Sequence, residues 1–325
     1  MTIDKSLVKR ILVITLSNVG DVILTTPVIR TLSREFPGTR IDVMVGPRGK
    51  EIFDQDPRIF KLIIYDKHTP IAQKRRLQLK LKRLKYDLVV DLRNTIFGLL
   101  IGPKFRTAAI HKFPKDLTHL RERHLHRLKS LGIEDLSQTS YIHVTKEDDD
   151  YISKLLAGQN ISEPIVAVNP GAKSHLKRWG AEGFAKVCDA LIQECRASVV
   201  FVGLKEDEAV VSDIIKKMSS KPYNFVNKTN IRQLAGLLKR ANLLITNDSA
   251  PLHLGCAVGT KVLGIFGPTD PKKYGPTGEF DAVINKKLSC SPCESAECKR
   301  DYECMKLISP EEVFETAKMM IEGYG

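Results

Sequence analysis

The sequence lacks a long apolar run, and no segment approaches the roughly 20 residues that a membrane-spanning helix needs. Near the N-terminus, Lys5, Lys9 and Arg10 precede an apolar run over residues 11–16, which is too short for the core of a signal peptide. We therefore expect a cytoplasmic protein whose seven cysteines are mostly reduced.

Two nucleotide-binding motifs are missing as well. No G-x-G-x-x-G follows the first predicted strand of either half, which argues against a nicotinamide or flavin dinucleotide site. No Walker lysine motif is present. The net charge of +13 points to acidic partners, but the basic regions carry no recognised nucleic-acid module and no aromatic stacking platform. Anionic membranes and phosphorylated ligands are therefore favoured over nucleic acid.

What the sequence does contain is an alternation of short apolar runs with helical patterns over 325 residues. A chain of this length is too long for a single hydrophobic core, so we predict two domains, over 1–162 and 163–325. The alternation predicts parallel sheets and therefore an α/β fold. Strands are predicted at 11–16, 41–45, 61–65, 87–92, 165–168, 198–202, 243–246, 261–266 and 281–284. Helices are predicted at 22–36, 73–85, 182–195, 206–218, 231–239 and 252–258.

The stretch 242–271 predicts a ligand site at the edge of the second sheet. A short strand is followed by Asn247, Asp248 and Ser249, which suit a helix N-cap. Pro251 suits the first helical turn. Ligands of parallel sheets bind beyond the carboxyl ends of the strands, where a helix N-terminus offers N–H groups to an anion. Asp248, Ser249 and His253 would line this site, and we predict that its ligand carries phosphate.

Three more polar loops follow predicted strands. Gly20 and Asp21 place a carboxylate after the first strand, with an N-cap role as the alternative. The loop 169–179 has the glycine and the cations to hold a diphosphate, or it is a solvated basic loop in which Trp179 anchors the next helix. Glu206 could accept hydrogen bonds from ribose hydroxyls, or it could serve the N-terminus of the following helix.

Two segments are strongly charged. The helix predicted over 73–85 is densely basic, with one apolar stripe of Leu77, Leu81 and Leu84. It is either a solvated surface helix or a helix that rests on an anionic membrane leaflet. The acidic run 147–150 precedes a helical pattern, and we interpret it as a helix start, not a metal site, because carboxylates stabilise helix N-termini.

Four cysteines, Cys290, Cys293, Cys298 and Cys304, lie within fifteen positions. Their spacing lacks the paired C-x-x-C form that is common in structural zinc sites. A structural zinc site and a local disulfide both stay open as alternatives. We expect no required metal ion or other cofactor.

These pieces, in this order, resemble glycosyltransferase family 9, the heptosyltransferases of lipopolysaccharide core assembly. The resemblance rests on 16–21 with 25–27 (LSNVGD, TTP), 169–172 with 177–179 (NPGA, KRW), 246–253 (TNDSAPLH) and 266–270 (FGPTD). The segment 290–293 (CSPC) is also similar to the tail of many members.

The resemblance implies a GT-B architecture, in which two Rossmann-like domains face a cleft, the first binding the acceptor and the second the nucleotide sugar. It also implies inverting transfer from ADP-L-glycero-β-D-manno-heptose to a lipid-anchored saccharide. By motif match, Asp21 is the general base and Lys177 steadies the diphosphate leaving group. The donor-binding residues implied in the same way are Gly171, Ala172, Lys173, Glu206, Asp248, Ser249, Ala250 and His253.

Two departures from the family pattern affect the donor site. Ala250 stands where many members have glycine, and Ala172 and Lys173 stand where some have a threonine pair. Another nucleotide sugar is therefore an alternative donor, and a nucleotide-sugar epimerase of similar fold is an alternative enzyme. An acceptor in the inner leaflet would explain the basic helix, so we expect peripheral association with an anionic inner-leaflet surface. We also expect a monomer and no nucleic-acid partner.

Overall fold

The computed structural model describes residues 3–95, 97–108 and 110–323. The chain divides into two compact units between His143 and Val144. The outer limits of the predicted domains, residues 1 and 325, lie outside the described residues. Within the described ranges, none of the helices combines the length and the apolar character that crossing a membrane requires.

The first unit is built on a sheet of parallel strands. The strands are β1 (Arg10–Ile14), β2 (Arg40–Val45), β3 (Lys61–Ile64), β4 (Leu88–Asp91) and β5 (Phe105–Arg106), in the spatial order β3-β2-β1-β4-β5. The helices are α1 (Val19–Ile23), α2 (Thr26–Glu35), α3 (Lys50–Phe53), α4 (Ile71–Arg83), α5 (Phe97–Leu100) and α6 (Leu120–Lys129), with 3-10 turns at Lys5–Leu7 and Pro47–Gly49. The strand order reverses between β1 and β4, so the loops after these two strands part.

The single helix predicted after β1 is two helices in the structure. The hydroxyls of Thr25 and Thr26 donate to the carbonyls of Val22 and Ile23, at 2.6 and 2.7 Å. Pro27, in the first turn of α2, has no N–H with which to continue the first helix. Local side-chain bonds therefore take the carbonyls that a continuous helix would use, and a new helix begins at Thr26.

The second unit is built on a larger parallel sheet. Its strands are β6 (Ile165–Asn169), β7 (Ser198–Phe201), β8 (Tyr223–Asn224), β9 (Leu243–Asn247), β10 (Val262–Phe266) and β11 (Ala282–Asn285), in the order β11-β10-β9-β6-β7-β8. Its helices are α7 (Lys146–Ala157), α8 (Ala181–Cys195), α9 (Glu208–Lys217), α10 (Ile231–Leu238), α11 (Ala250–Val258), α12 (Pro271–Tyr274), α13 (Glu303–Lys306) and α14 (Pro310–Glu322), with 3-10 turns at His175–Lys177 and Lys205–Asp207.

The central strands of this second sheet hold its core. Every residue of β6, β9 and β10 is buried, because helices cover both faces of a parallel sheet, and the residues are apolar except at the carboxyl ends of β6 and β9. Trp179 joins the same core, and its ring meets the ring of Phe184 edge to face, with 5.0 Å between centroids. The loop before α8 is thereby held rigidly against the sheet.

Helix α7 belongs to the second unit, so the structure divides the chain before this helix and not near residue 162. Asp148 of α7 accepts a 2.7 Å hydrogen bond from Arg232 at the start of α10, and both side chains are largely buried. Thr145 and Asp148 also form a reciprocal capping box, which confirms the acidic run as a helix start.

Candidate functional site

The carboxyl ends of β6 and β9 form the middle of one edge of the second sheet. Asn169, the last residue of β6, is paired with Thr246 of β9. The strand order reverses here, with β7 on one side of β6 and β9 on the other. The loops that follow these two strands therefore run in opposite directions, and the space between them can hold a ligand.

Two predicted site residues meet at this edge as an ion pair. Nζ of Lys177 lies 2.6 Å from Oδ2 of Asp248, and the side chains are 29% and 5% exposed. The hydroxyl of Thr269 donates to the same Oδ2 at 2.7 Å. The ammonium group also lies 5.8 Å from the centroid of the Tyr274 ring. Asp248 is thus fixed from two directions, whereas Lys177 keeps one side open to solvent.

The N-terminus of α11 lies directly after Asp248. Ser249 is the N-cap residue, but its side chain does not cap the helix. Its hydroxyl donates instead to Oδ1 of Asn169, at 3.1 Å. Ala250 begins the helix, and His253 is buried in its second turn. Pro251 has no N–H, and the N–H of Leu252 donates to the carbonyl of Ser249 at 3.2 Å. An anion at this helix start would therefore meet the N–H groups that precede Pro251 and the positive end of the helix dipole.

Asn247 ties the loop after β6 to the end of β9. Its amide Nδ2 donates to the carbonyl of Pro170 at 2.8 Å, and its Oδ1 accepts from the N–H of Trp179 at 3.1 Å. Within the loop, Nε of Arg178 donates to the carbonyl of Ala172 at 2.8 Å. Ala172 is buried, while Lys173 is exposed. The loop that was predicted to hold a diphosphate is therefore a braced segment from which the side chain of Lys173 extends into solvent.

Gly171 lies where a side chain would not fit. A Cβ atom at this position would come within 2.2 Å of Oδ1 of Asp207. The Asp207 carboxylate also accepts a 2.9 Å hydrogen bond from the N–H of Leu204. Glu206, the residue predicted to bind ribose, is exposed in the 3-10 turn beside it. The structure thus places Asp207 against the loop and leaves Glu206 facing solvent.

Asp21 lies in the first unit, after β1. It is in the first turn of α1 and is half-buried, and its Oδ2 accepts a 2.9 Å hydrogen bond from Nδ2 of Asn18. Asn18, not Asp21, is the N-cap residue. The neighbouring strand β4 ends at Asp91, which is paired with Ile14. The Asp21 carboxylate therefore stands at the reversal point of its sheet without serving as a cap.

The basic helix α4 presents cations and apolar side chains to solvent together. Leu81 is buried, and Leu77 and Leu84 pack against the core from its edge. On the outside, Leu79 is 54% exposed and Ile71 is 71% exposed. The exposed cations of the helix are Arg75, Arg76, Lys80, Lys82 and Arg83.

The four clustered cysteines line one cavity, together with Leu176 and Pro268. All four carry free thiols. Among the described residues, no group of three or more His, Cys, Asp or Glu side chains is arranged to hold a metal ion. The structure therefore gives no support to the zinc alternative.

Three residues that position the site were not predicted from the sequence. Thr269 lies in the 266–270 motif, which was quoted only for its family resemblance, and Asn169 lies in a quoted motif without an assigned role. Asn247 was predicted only to contribute to a helix N-cap, a position that Ser249 occupies in the structure. A hydroxyl or amide at or just after the end of each of three neighbouring strands was the signal that could have identified all three.

The sequence model of Glycosyltransferase family 9 (heptosyltransferase) matches residues 105–303. The chain belongs to glycosyltransferase family 9. It is 30% identical to lipopolysaccharide heptosyltransferase 3 of Escherichia coli K12 over 285 residues, which is 80% of this chain and 83% of that protein. It is 29% identical to lipooligosaccharide heptosyltransferase 2 of Campylobacter jejuni (serotype O:6, strain 81116) over 311 residues, covering 93% and 96% of the two chains.

Solved structures of this family share the fold. A family 9 glycosyltransferase from Veillonella parvula matches with a TM-score of 0.83 at 24% identity, covering 97% of each chain. The structure described as E. coli ADP-heptose lipopolysaccharide heptosyltransferase II matches with a TM-score of 0.78 at 22% identity, covering 97% of this chain and 99% of that one. The family, the two-sheet α/β fold of GT-B transferases and the glycosyltransferase class are thus confirmed.

Proposed function

We propose that this family 9 member is an inverting heptosyltransferase that moves a heptose from ADP-heptose to a lipid-anchored saccharide of the lipopolysaccharide core. The observation that carries the proposal is the 2.6 Å pair of Lys177 and Asp248 at the carboxyl ends of β6 and β9. The pair stands beside a helix start that has no side-chain cap. A cation, a carboxylate and backbone N–H groups are what a diphosphate-linked sugar requires.

In this proposal the donor diphosphate binds at the start of α11, beside Ser249, Ala250 and His253. The N–H groups and the dipole of the helix favour its negative charge. Asp248, fixed by Lys177 and Thr269, accepts hydrogen bonds from the sugar hydroxyls. The segment 171–173 approaches the diphosphate from the other loop, and the exposed Glu206 accepts from the ribose hydroxyls.

The reaction is a single displacement. The acceptor hydroxyl oxygen attacks the anomeric carbon opposite the diphosphate, the carbon–oxygen bond to the diphosphate breaks, and the configuration inverts. Asp21 takes the proton of the attacking hydroxyl as general base. Negative charge builds on the outer phosphate of ADP, where Lys177 and the N–H groups of α11 stabilise it. The scheme uses no metal ion or other cofactor.

Two residues of this proposed donor site differ from the family pattern. Ala250 adds a methyl group at the start of α11, which narrows the space beside the donor. Lys173 is exposed and places an ammonium group in the loop where some relatives carry hydroxyls. We propose that this charge replaces the hydroxyl contacts. Unchanged nucleotide affinity in Lys173→Ala would contradict this role.

The first experiment is calorimetric binding of ADP, UDP, GDP and NAD to the purified protein. We expect ADP to bind most tightly and Lys177→Ala to raise its Kd by about 10- to 100-fold, since a hydrogen bond to a charged group is worth roughly 1.5–3 kcal/mol. Lys216→Ala, at an exposed lysine of α9, is the control and should bind ADP normally. A preference for UDP or GDP would overturn the donor, and no nucleotide binding would overturn the donor site.

The second experiment separates transfer from epimerisation. ADP-heptose is incubated with and without a truncated core saccharide, and the sugar products are identified. Heptose on the acceptor, with the anomeric configuration opposite to that of the donor, supports the proposal. Conversion of the donor sugar without an acceptor would indicate an epimerase instead.

We further propose that the outer face of α4 rests on an anionic membrane surface and brings the enzyme to its lipid-anchored acceptor. Leu79 is exposed between Arg75 and Arg76 on one side and Lys82 and Arg83 on the other, at helical spacings of three and four residues. Exposed cations around an exposed leucine are typical of helices that lie in a membrane interface. Each cation near such a surface contributes about 1 kcal/mol at moderate salt.

Binding to vesicles that contain phosphatidylglycerol tests this surface. Neutralising Arg75, Arg76, Lys82 and Arg83 to glutamine should abolish binding at moderate salt, and high salt should weaken the wild type. The control neutralises four exposed lysines of the second unit: Lys216, Lys221, Lys228 and Lys239. Equal loss in both quadruple variants would mean that only net charge matters, and salt-independent binding would contradict the proposal.

A further inference from the structure

The cysteine cavity lies directly behind the residues proposed to hold the donor. Besides the four cysteines, Leu176 and Pro268 line it. Leu176 precedes Lys177 in the chain, and Pro268 precedes Thr269, the residue that donates to Asp248. The wall of the cavity and the support of the Lys177–Asp248 pair are therefore parts of the same two loops.

The cysteine segment is hydrogen-bonded to one of these loops. The N–H groups of Cys293 and Glu294 both donate to the carbonyl of Pro268, at 3.0 and 2.8 Å. The hydroxyl of Ser291 donates to the carbonyl of Gly267 at 2.6 Å. A Cβ atom on Gly267 would come within 2.3 Å of the sulfur of Met305, so the loop has no space to retreat on that side.

The segment also contacts the other loop. The ring of Tyr302 lies 6.1 Å from the ring of His175, edge to face, and His175 begins the 3-10 turn that ends at Lys177. A change in the backbone between Cys293 and Tyr302 would therefore reach the donor residues from two sides.

The four thiols differ in their access to solvent. Cys293 and Cys298 are exposed, Cys290 is half-buried and Cys304 is buried. Burial, and then the neighbouring thiolates of the cluster, raise the pKa of Cys304. The sulfur of Cys298 accepts backbone N–H bonds from Tyr302 at 3.2 Å and Arg300 at 3.5 Å.

Cys298 lies on the cavity wall beside two basic residues, Lys299 and Arg300. Cys293 is the other exposed sulfur on the same cavity. These two residues therefore share one cavity and have the access to solvent that thiol–disulfide exchange needs, whereas Cys304 is buried.

We propose that Cys293 and Cys298 form a disulfide by exchange and that this disulfide weakens binding of the nucleotide donor. The inference rests on the proposed donor site. Its physical basis is the pair of hydrogen bonds by which Cys293 and Glu294 hold the Pro268 carbonyl. Drawing Cys293 toward Cys298 loosens these bonds and, through Thr269, the position of Asp248.

The chemistry needs a disulfide oxidant of low molecular weight, such as glutathione disulfide. The Cys298 thiolate attacks one sulfur of the oxidant, forming a mixed disulfide and releasing one thiolate. The Cys293 thiolate then attacks the Cys298 sulfur of the mixed disulfide and releases the second thiolate. Two protein thiols are oxidised to one disulfide, the oxidant is reduced to two thiols, and these carry the two protons.

The test compares the full chain after treatment with a reductant and with glutathione disulfide. Thiols are counted by alkylation and mass spectrometry, the linked peptide is mapped, and ADP affinity is measured by calorimetry. We expect a Cys293–Cys298 peptide and a Kd for ADP at least tenfold higher in the oxidised protein. Cys293→Ser and Cys298→Ser should each abolish both effects, whereas Cys195→Ser, outside the cavity, should preserve them.

Several outcomes would overturn the inference. One is a disulfide that forms with no change in ADP affinity. Another is a reduced protein that holds one equivalent of zinc and resists glutathione disulfide, which would make the cysteines metal ligands. ADP binding that is absent even from the reduced protein would overturn the donor site itself and, with it, any control of donor binding. This failure can be distinguished from a failure of the redox proposal, because the disulfide is detected by mass spectrometry and its detection does not depend on ADP binding.

Discussion

The hydroxyl of Thr269 donates a 2.7 Å hydrogen bond to Oδ2 of Asp248, the same oxygen that pairs with Lys177. The two bonds use one oxygen of the carboxylate and fix its plane. In the proposed donor site, the second oxygen accepts a hydrogen bond from a hydroxyl of the donor sugar. The orientation of Asp248 is thus set before a substrate binds, which is what a preorganised site requires.

Removing the Thr269 hydroxyl should therefore impair the donor site without creating a cavity in the core. In Thr269→Val, a buried carboxylate loses one donor, so the free energy of unfolding should fall by about 1–3 kcal/mol and affinity for ADP-heptose should fall as well. Urea unfolding and donor-binding calorimetry measure the two effects. Thr316→Val, at a half-buried threonine of α14 that bonds a helix carbonyl, is the matched control. Similar donor affinity in the two variants would contradict the role given to Thr269.

Asp21→Asn should separate chemistry from binding. Asparagine keeps the shape and can still accept the bond from Asn18, but it cannot take a proton. Turnover should drop by about 10²- to 10⁴-fold, as for the loss of a general base, with unchanged ADP affinity and melting temperature. Asp116→Asn, an exposed aspartate of the same unit, should keep full activity. Retention of more than a tenth of the activity in Asp21→Asn would assign the base elsewhere.

Gly171 provides a test of close packing at the site. In Gly171→Ala the new methyl group meets Asp207 at 2.2 Å, and such overpacking costs about 1–3 kcal/mol of stability. ADP binding should weaken with it, since the loop must shift. Gly180→Ala, where no atom lies within 4 Å of the added Cβ, should bind ADP normally.

A double variant checks the cause of that effect. In Gly171→Ala with Asp207→Ala, the carboxylate that the methyl group meets is gone, so thermal unfolding should show partial recovery relative to Gly171→Ala alone. If the losses of stability from Gly171→Ala and Asp207→Ala simply add in the double variant, the contact with Asp207 is not what destabilises Gly171→Ala.

His124 makes the stability of the first unit depend on pH. Burial, reinforced by Arg127 and His119, lowers its pKa from the ordinary 6.5 to about 3. Neither ring nitrogen makes a hydrogen bond to the described residues. The unfolded chain therefore binds one more proton than the folded chain between about pH 6.5 and pH 3. Above pH 6.5 this difference in proton binding does not lower the free energy of unfolding. As the pH falls through the window, the free energy of unfolding decreases, by about 2 kcal/mol at pH 5.

Urea unfolding at pH 7 and pH 5 measures this loss. His124→Leu removes the titrating group without leaving a hydrogen-bond partner unpaired, so its stability should fall less between the two pH values than that of the wild type. His68→Leu, at an exposed histidine of the same unit, should keep the wild-type pH dependence. An unchanged pH dependence in His124→Leu would show that the histidine is not the responsible group.

The sheet framework could be predicted from the sequence where burial is complete. β1, β6, β9 and β10 each contain an uninterrupted run of at least three apolar residues, because both faces of each strand are covered. β5 and β8 could not be predicted, since two residues carry no pattern and each strand exists only through pairing with its neighbour. The assignment of α7 to the second unit depends on the partner of Asp148, which lies 84 positions away.

The candidate site also contains some features that the sequence predicts and others that it does not. The loops after β6 and β9 were predicted because their polar residues directly follow apolar runs in the chain. The choice between Glu206 and Asp207 could not be made, since neighbouring carboxylates differ only in how a 3-10 turn directs them. The bond from Thr269 to Asp248 joins residues 21 positions apart, in the loops that follow two different strands, and no local pattern specifies it.

The burial of Trp179 has a consequence for spectroscopy. It is the only tryptophan of the chain, its indole N–H donates to the carbonyl of Ile308 at 3.1 Å, and its backbone N–H donates to Asn247. Its emission therefore originates entirely in the second unit, within one loop of the Lys177–Asp248 pair. Selective excitation of the indole therefore reports unfolding of the second unit, and changes in the loops that are proposed to bind the nucleotide, in the unlabelled protein. The first unit contains no tryptophan and does not contribute to this signal.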